Sequence, residues 1–599
     1  MTSPLSKLLN QNIIDSFDEL NITIQPPLLI KLIDINGMPT SIGIMYKKPT
    51  KGINSQNKFL SHVISSFKEK EKQCNELFIE LMNAYQIFDE YEIAHELSNY
   101  INDVCFDVND IRHDIHSILQ HKAIIKEFEV LDNINDYPEV FPLAHDKKRK
   151  IIAYLGDTNS GKTWNAMAKI ADSSTSAYMA PLRLLAHETY EYLNQQGIPT
   201  SLVTGEERIE TKDSMCTSST VECFDPSREY DTVVIDEIQM IDDIDRGAFF
   251  VQALVGSNAK EIIVTGPKEY ANKLKNIADY LGDEFEVEYF ERKSELKSLK
   301  KPVKLKDVKP NTAIVAFSKK EVYLIQDKLP KHLKSTVLYG ALGYDVRQTQ
   351  AERFRNGEVD VIVTTDCIGM GLNLPIETVL FTAIEKYDGH AVKPLSSMLT
   401  KQICGRAGRF GKFDTGYYGA IDSHKNGFVK QQMSKSLKPK KGKLPVLPPK
   451  RYIETLLRVY DITEILNSWQ KYVTFKREDS IFEPANMSKQ IEIASYLQDN
   501  YSDYKKFWGI IYCPVDMDKQ FEEFNQIVQE LFKKDKINLP NPNVSFMGQN
   551  ALEYFLKELT IFQWFLNKYP HTFVKDAESK IQDMIDECNY HLNMYLKRG

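Results

Sequence analysis

From residue 150 to about 420 the chain repeats one pattern, a short apolar run followed by a stretch with helical periodicity. The runs are IIAYL (Ile151 to Leu155), SAYMA (Ser176 to Ala180), TVVID (Thr232 to Asp236) and EIIVTG (Glu261 to Gly266), then AIVAF, STVLY, VDVIVTT and TVLFTA between Ala313 and Ala383. Uninterrupted apolar strands alternating with helices predict parallel sheets covered by helices on both faces. The charged run Ser294 to Pro310, broken by Pro302, separates the first four strands from the second four, so two α/β domains in tandem are expected. Upstream, apolar residues three and four apart predict packing helices over Asn75 to Glu96 and Ile111 to Phe128. Beyond Arg451 the pattern is again helical and rich in aromatics, and Trp469, Trp508 and Trp564 read as core. The boundaries that follow are 1–145 (mixed and helical), 146–298 and 299–432 (the two α/β domains), and 433–599 (a basic linker and a helical region).

Composition narrows the class. The 599 residues are 42% apolar and 26% charged, with no stretch near the roughly eighteen consecutive apolar residues needed to cross a bilayer, so no membrane partner is expected. Only Lys7 is basic among the first thirty residues, against Asp15, Asp18 and Glu19, which lacks the order of a signal peptide and the Arg-rich character of a transit peptide. Cytoplasmic residence is the expectation. Eight cysteines without a C-x-x-C pair give neither a zinc spacing nor a disulfide framework. The net charge of −8 argues against a protein that coats nucleic acid, so any such track must be local. The clearest basic segment, Lys435 to Arg451, has no acid and four prolines and reads as a solvated linker.

Three motifs carry chemistry. Gly156, Asp157, Thr158, Asn159, Ser160, Gly161, Lys162 and Thr163 form GDTNSGKT between an apolar strand and a helix. In that setting backbone N–H groups cradle the phosphates of a nucleotide at a helix N-terminus. Lys162 would reach the β and γ phosphates, and the Thr163 hydroxyl would hold Mg²⁺. VVIDEIQM (Val233 to Met240) is a strand ending in paired carboxylates, which would put Asp236 beside Mg²⁺ and let Glu237 orient the attacking water for ATP hydrolysis. In the second α/β domain, QICGRAGRFG (Gln402 to Gly411) holds two arginines three residues apart. Closing that domain on the first would bring Arg406 and Arg409 to the γ-phosphate, as a two-domain motor requires.

GDTNSGKT, APLRLLAHE, LVTGEERI, VIDEIQMI, DCIGMGLNL and QICGRAGRF together resemble the Suv-three-type ATP-dependent RNA helicases of superfamily two, known from the mitochondrial RNA degradosome. The resemblance is close from Arg149 to Ile421 and fainter into the C-terminal helices. It implies two tandem RecA-like domains flanked by mostly helical N-terminal and C-terminal regions. It also implies an RNA-stimulated ATPase that moves 3′ to 5′ on a single strand, unwinds duplex with a 3′ overhang, and often feeds a 3′ exoribonuclease in RNA turnover. By motif position, Arg183, Thr204, Gly205 and Thr220 would contact the strand backbone from the first domain and Thr365 from the second. Gln239 and Gln402 would couple that track to the ATP cleft, and Gly371 would line the nucleotide. The chain departs from the family pattern at Asp157, Cys404 and Gly266-Pro267-Lys268. A DNA track, or a slow ATPase switch that docks a nuclease, would use the same ATP-site residues and stays open, because no motif displays a 2′-hydroxyl contact.

Overall fold

The computed structural model describes residues 135–598, apart from 147, 370–373, 388–390, 409–410, 474 and 476, together with two N-terminal strands and parts of 73–122. Of the helical stretches expected over 75–96 and 111–128, residues 76–84, 92–94, 112, 115–116, 118–119 and 122 are helical; most of 111–128, as well as Gly371 and Arg409, lies outside the described residues. The chain divides into two compact units. The smaller, Met1–Ile134 with Pro449–Asp461, contains an antiparallel pair, β1 (Leu29–Ile35) and β2 (Met38–Met45), and the helix Lys450–Leu456.

The larger unit, Asn135–Pro448 with Ile462–Gly599, holds two large sheets and, besides them, two two-stranded ones. The first comprises β3 (Lys150–Gly156), β4 (Ser176–Ala180), β5 (Thr200–Val203), β6 (Arg208–Ile209), β7 (Cys216–Thr220), β8 (Tyr230–Ile235), β9 (Ala259–Gly266) and β10 (Glu284–Phe290). They lie in the order β10-β3-β9-β8-β4-β7-β5-β6, parallel throughout except for β5 with β6. The second comprises β11 (Glu295–Ser298), β12 (Thr312–Val315), β13 (Ser335–Leu338), β14 (Val361–Thr364), β15 (Thr378–Phe381) and, after a short hairpin of β16 (Glu385–Tyr387) and β17 (Val392–Pro394), β18 (Thr415–Ala420). Its order is β11-β18-β15-β12-β14-β13, all parallel. The central strands are buried on both faces, which is why they read as continuous apolar runs. Ile152, Tyr154, Val234 and Ile263 pack with Ala166 and Ile170 of the helix that follows β3, forming one core under the first sheet.

All eight apolar runs are strands. The charged separator is not wholly a linker, because Glu295–Ser298 within it forms an edge strand of the second sheet against β18. The basic segment is irregular from residue 435 to 443 and is pinned to the first sheet's side. Its Lys440 N–H donates to Asp242 at 2.7 Å, and Lys273 donates to the Lys440 carbonyl at 3.2 Å. Trp469 and Trp564 are buried, as core, and Trp508 is half-buried. The helix Gln549–Lys568 spans both sheets. Glu553 near its start pairs with Lys319 (2.6 Å) and accepts from Tyr339 (2.5 Å) of the second, whereas Trp564 near its end lies against Gly205 of the first.

A buried ion pair closes the bottom of the first sheet. The Arg149 side chain has no solvent exposure, donates to Asp283 (Nε to Oδ1, 2.9 Å) and gives Nη1 to the carbonyls of Val255 (2.8 Å) and Ser257 (3.1 Å). Removing one partner leaves the other charge buried without compensation, which costs about 3–5 kcal/mol. Asp283→Ala is therefore expected to lower the unfolding free energy in urea by that amount; a loss under about 1 kcal/mol would show that water reaches the guanidinium.

Candidate active site

The chemistry-bearing residues sit at the carboxyl edges of the strands, where open parallel sheets present their crevices. β3 ends at Gly156, where a Cβ would fall 2.0 Å from the Phe290 carbonyl of β10, so only glycine lets the chain leave the sheet there. Asn159 (φ 63°) and Gly161 (φ 94°) then adopt left-handed conformations that fold the loop back and start the helix Lys162–Ala171 with no side-chain cap on its first N–H groups. Uncapped N–H groups at a helix start form an anion site. The buried Ser160 hydroxyl has no protein partner, and the Lys162 ammonium is held by the Asp157 carbonyl (2.8 Å). Burial lowers the Lys162 pKa, while Glu237, Asp236 and Asp157 nearby oppose the shift. An orphaned hydroxyl, an uncapped helix end and a cation that faces carboxylates fit a chain of phosphates.

The sheet order explains what surrounds Asp236. It follows β8, whose neighbours are β9 and β4, with β3 one strand further. Thr163, just beyond β3, donates to Asp236 Oδ1 at 3.1 Å; Thr265 of β9 donates to the same oxygen; Tyr178 of β4 donates to Oδ2 at 2.7 Å. Three hydroxyls, two from strands and one from the helix that follows the phosphate loop, thus fix one buried carboxylate. The next residue, Glu237, has left-handed backbone angles (φ 57°, ψ 52°), a conformation that costs a non-glycine residue roughly 1–2 kcal/mol. Its N–H is held by Thr265 Oγ1 (3.2 Å) and its carboxylate accepts from Gln239 Nε2, while Gln239 Oε1 is buried with no partner. Gly266 permits this packing, because a Cβ there would lie 2.7 Å from Ile238.

The second sheet meets this edge through the loop after the helix Ser397–Cys404, whose N-cap Ser396 accepts from Leu399 N–H at 3.2 Å. Gln402 packs beside Gly369. Arg406 donates twice to the Gly369 carbonyl, at 3.1 and 2.7 Å. Burial lowers its pKa, and the charges of Glu237, then of Glu188 and Asp236, oppose the shift. The two loops touch: Asn159 donates to the Gly405 carbonyl (3.0 Å), and a Cβ on Gly405 would lie 2.6 Å from Thr158.

The expected track residues lie along the same edge. Arg183 opens the helix Arg183–Gln195 and pairs with Glu206; burial and the neighbouring Arg347 push its pKa down to about 10. Thr204 uses its hydroxyl within its own turn, accepting from Glu207 N–H at 2.9 Å. Thr220 and Thr365 end β7 and follow β14. Sequence reading missed Thr265 and Tyr178, which matter only through strand order. It also missed Arg347, whose buried Nε has no partner, and Arg292, which joins the two loops.

A phosphate loop, a fixed aspartate and an arginine loop at the junction of two parallel sheets form a cleft suited to a nucleoside triphosphate. Residues 138–290 match the DEXQ-box helicase domain of Suv3, and residues 294–411 match the helicase conserved C-terminal domain. The chain is 30% identical over 478 residues to the mitochondrial DExH-box ATP-dependent RNA helicase DExH16 of Arabidopsis thaliana, covering 76% of this chain and 82% of that protein. It is 38% identical over 336 residues to the mitochondrial ATP-dependent RNA helicase SUV3 of Candida albicans (54% of this chain, 45% of that one), and 32% identical over 487 residues to the Saccharomyces cerevisiae protein of the same name (75% and 65%). This chain therefore belongs to the Suv3 family of DEXQ-box helicases. It spans less than half the length of the Candida relative. The expected cytoplasmic residence is overturned, since these relatives are mitochondrial proteins. The charge pattern of thirty residues reports on one segment and was too narrow a basis for a compartment.

Proposed function

We propose that the chain is an ATP-dependent RNA helicase whose two sheets close on ATP and step along one RNA strand in the 3′-to-5′ direction. The observation that carries this reading is the contact between the phosphate loop of the first sheet and the arginine loop of the second, where Asn159 donates to the Gly405 carbonyl at 3.0 Å, one residue before Arg406. Lys162 neutralises charge on the β and γ phosphates, with Gly156 to Thr163 and Gly371 around the nucleotide. Thr163 and Asp236 would hold Mg²⁺, which when bound supplies further positive charge at the phosphates. Glu237, kept in place by Gln239 and Thr265, orients the attacking water and takes its proton. Arg406, Arg409 and Gln402 complete the cleft on closure. Arg183, Thr204, Gly205, Thr220 and Thr365 serve as the track, and a 3′ exoribonuclease working in RNA turnover is the partner that such a polarity suits.

Two measurements test the track. ATP hydrolysis should rise more with single-stranded RNA than with DNA of matched sequence; equal stimulation, or a preference for DNA, would reassign the substrate. A groove contacting about five phosphates should give a log affinity that falls with log salt at a slope near −3.5, from roughly −0.7 per contact. A slope near zero would mean that bases, not the backbone, carry the binding.

A further inference from the structure

Arg292 lies in the short connection between β10 of the first sheet and β11 of the second, and its guanidinium meets only carbonyls among its hydrogen-bond partners. Nε donates to the Ser294 carbonyl (2.9 Å), and Nη1 to those of Gly405 (2.8 Å) and Thr158 (3.1 Å). Nη2 donates to the Ala407 carbonyl and at 3.4 Å to that of Gly408, which also accepts from the Ser294 hydroxyl. A surface arginine in a connector has no need of such partners, and a planar fork of donors spread over diverging acceptors is a recognition geometry. All but one of these acceptors belong to the second sheet's side of the junction. The exception is Thr158, in the middle of the phosphate loop. The acceptors on the other side flank Arg406 in sequence, so the backbone that aims the Arg406 side chain is held by the same guanidinium that touches the phosphate loop.

We propose that Arg292 is a positioning residue for ATP hydrolysis: it holds the arginine loop of the second sheet against the phosphate loop of the first and so sets where the Arg406 guanidinium sits in the closed cleft. The inference rests on the ATPase reading above. When the sheets separate, Arg292 keeps its contacts with Ser294, Gly405 and Ala407 and gives up the one to Thr158. That bond, beside the one from Asn159 to the Gly405 carbonyl, ties the placement of Arg406 to the conformation of the phosphate loop. Misplacing a catalytic group by about 1 Å is enough to cost on the order of a hundredfold in rate.

The test uses the full chain with Arg292→Ala and Arg292→Lys. In the alanine variant kcat for RNA-stimulated hydrolysis should fall about 10- to 100-fold while the Kd for a fluorescent ATP analogue stays within about twofold. Lysine, a single point donor, should restore only part of the rate. Added guanidinium ion should raise kcat of the alanine variant, and ethylammonium should not. If the alanine variant melts early, the lysine variant decides, with the same expected split between lowered kcat and unchanged Kd. Unaltered kcat in both variants would overturn the inference, as would a fall in kcat matched by weaker nucleotide binding and insensitive to guanidinium, which is the mark of a structural role. An unaltered chain that hydrolyses no ATP would instead bring down the underlying reading as well.

Discussion

Glu237→Gln will leave ATP bound and slow its hydrolysis by about 10² to 10⁴. The substitution keeps the shape of the side chain and an oxygen to accept from Gln239 Nε2, and it leaves the backbone N–H on Thr265 Oγ1 (3.2 Å). What it removes is the capacity to take a proton from water. The left-handed backbone at this position shows how firmly the surroundings over-determine it, because strain of that kind persists only where neighbouring contacts hold it. Lys162→Ala should behave differently, weakening nucleotide binding together with turnover, because the ammonium acts on ground-state phosphate charge as well as on the transition state. Phosphate release and nucleotide binding measured side by side separate the two variants. Near-normal turnover of Glu237→Gln in the presence of RNA would remove Glu237 from the mechanism.

Arg406→Ala should lower kcat by about 10³ or more while nucleotide affinity scarcely changes, as an arginine that acts on transition-state charge requires. Burial, which lowers the Arg406 pKa, and its two bonds to the Gly369 carbonyl describe a guanidinium held by neutral backbone, with the charges of Glu237, Glu188 and Asp236 favouring its protonated form. Lysine at this position keeps the charge but not the fork, so Arg406→Lys should recover little of the rate. A proportional loss of nucleotide affinity would mean that Arg406 serves binding and not the transition state. By the same motif logic Arg409 should contribute as a second positive group.

Local features were legible in the sequence, and features made by strand order were not. The phosphate loop and the DEIQ segment could be read because each occupies a few consecutive residues with a fixed physical purpose. The eight apolar runs were legible because their strands are buried on both faces. β7 escaped because, apart from Cys216, its buried side chains are hydroxyls, with Ser218 satisfied by the Ala186 carbonyl at 2.7 Å, and no apolar pattern marks it. β18 escaped because it is glycine-rich, and its Gly416 is packed so tightly that a Cβ would lie 2.5 Å from the Ala407 carbonyl carbon. β10 alternates between half-buried and exposed positions at the sheet edge, and β11 hides within the charged separator. Tyr178 and Thr265 gain their roles from Asp236, 58 and 29 positions away, and Arg292 gains its role from Gly405, 113 positions away. No periodicity encodes such contacts. Compartment was misread because the relatives, and not the composition of the first thirty residues, bear on it.

The central claim is that ATP turnover in the cleft between the two sheets drives strand separation on RNA. It is tested most directly by strand displacement on two RNA duplexes of identical sequence that differ only in carrying a 3′ or a 5′ single-stranded tail, with ATP and Mg²⁺ present. The 3′-tailed duplex should open, should stay closed when Glu237→Gln replaces the unaltered chain, and should open far faster than its 5′-tailed counterpart. Preferential opening of the 5′-tailed duplex, or opening that continues in the Glu237→Gln variant, would contradict the account.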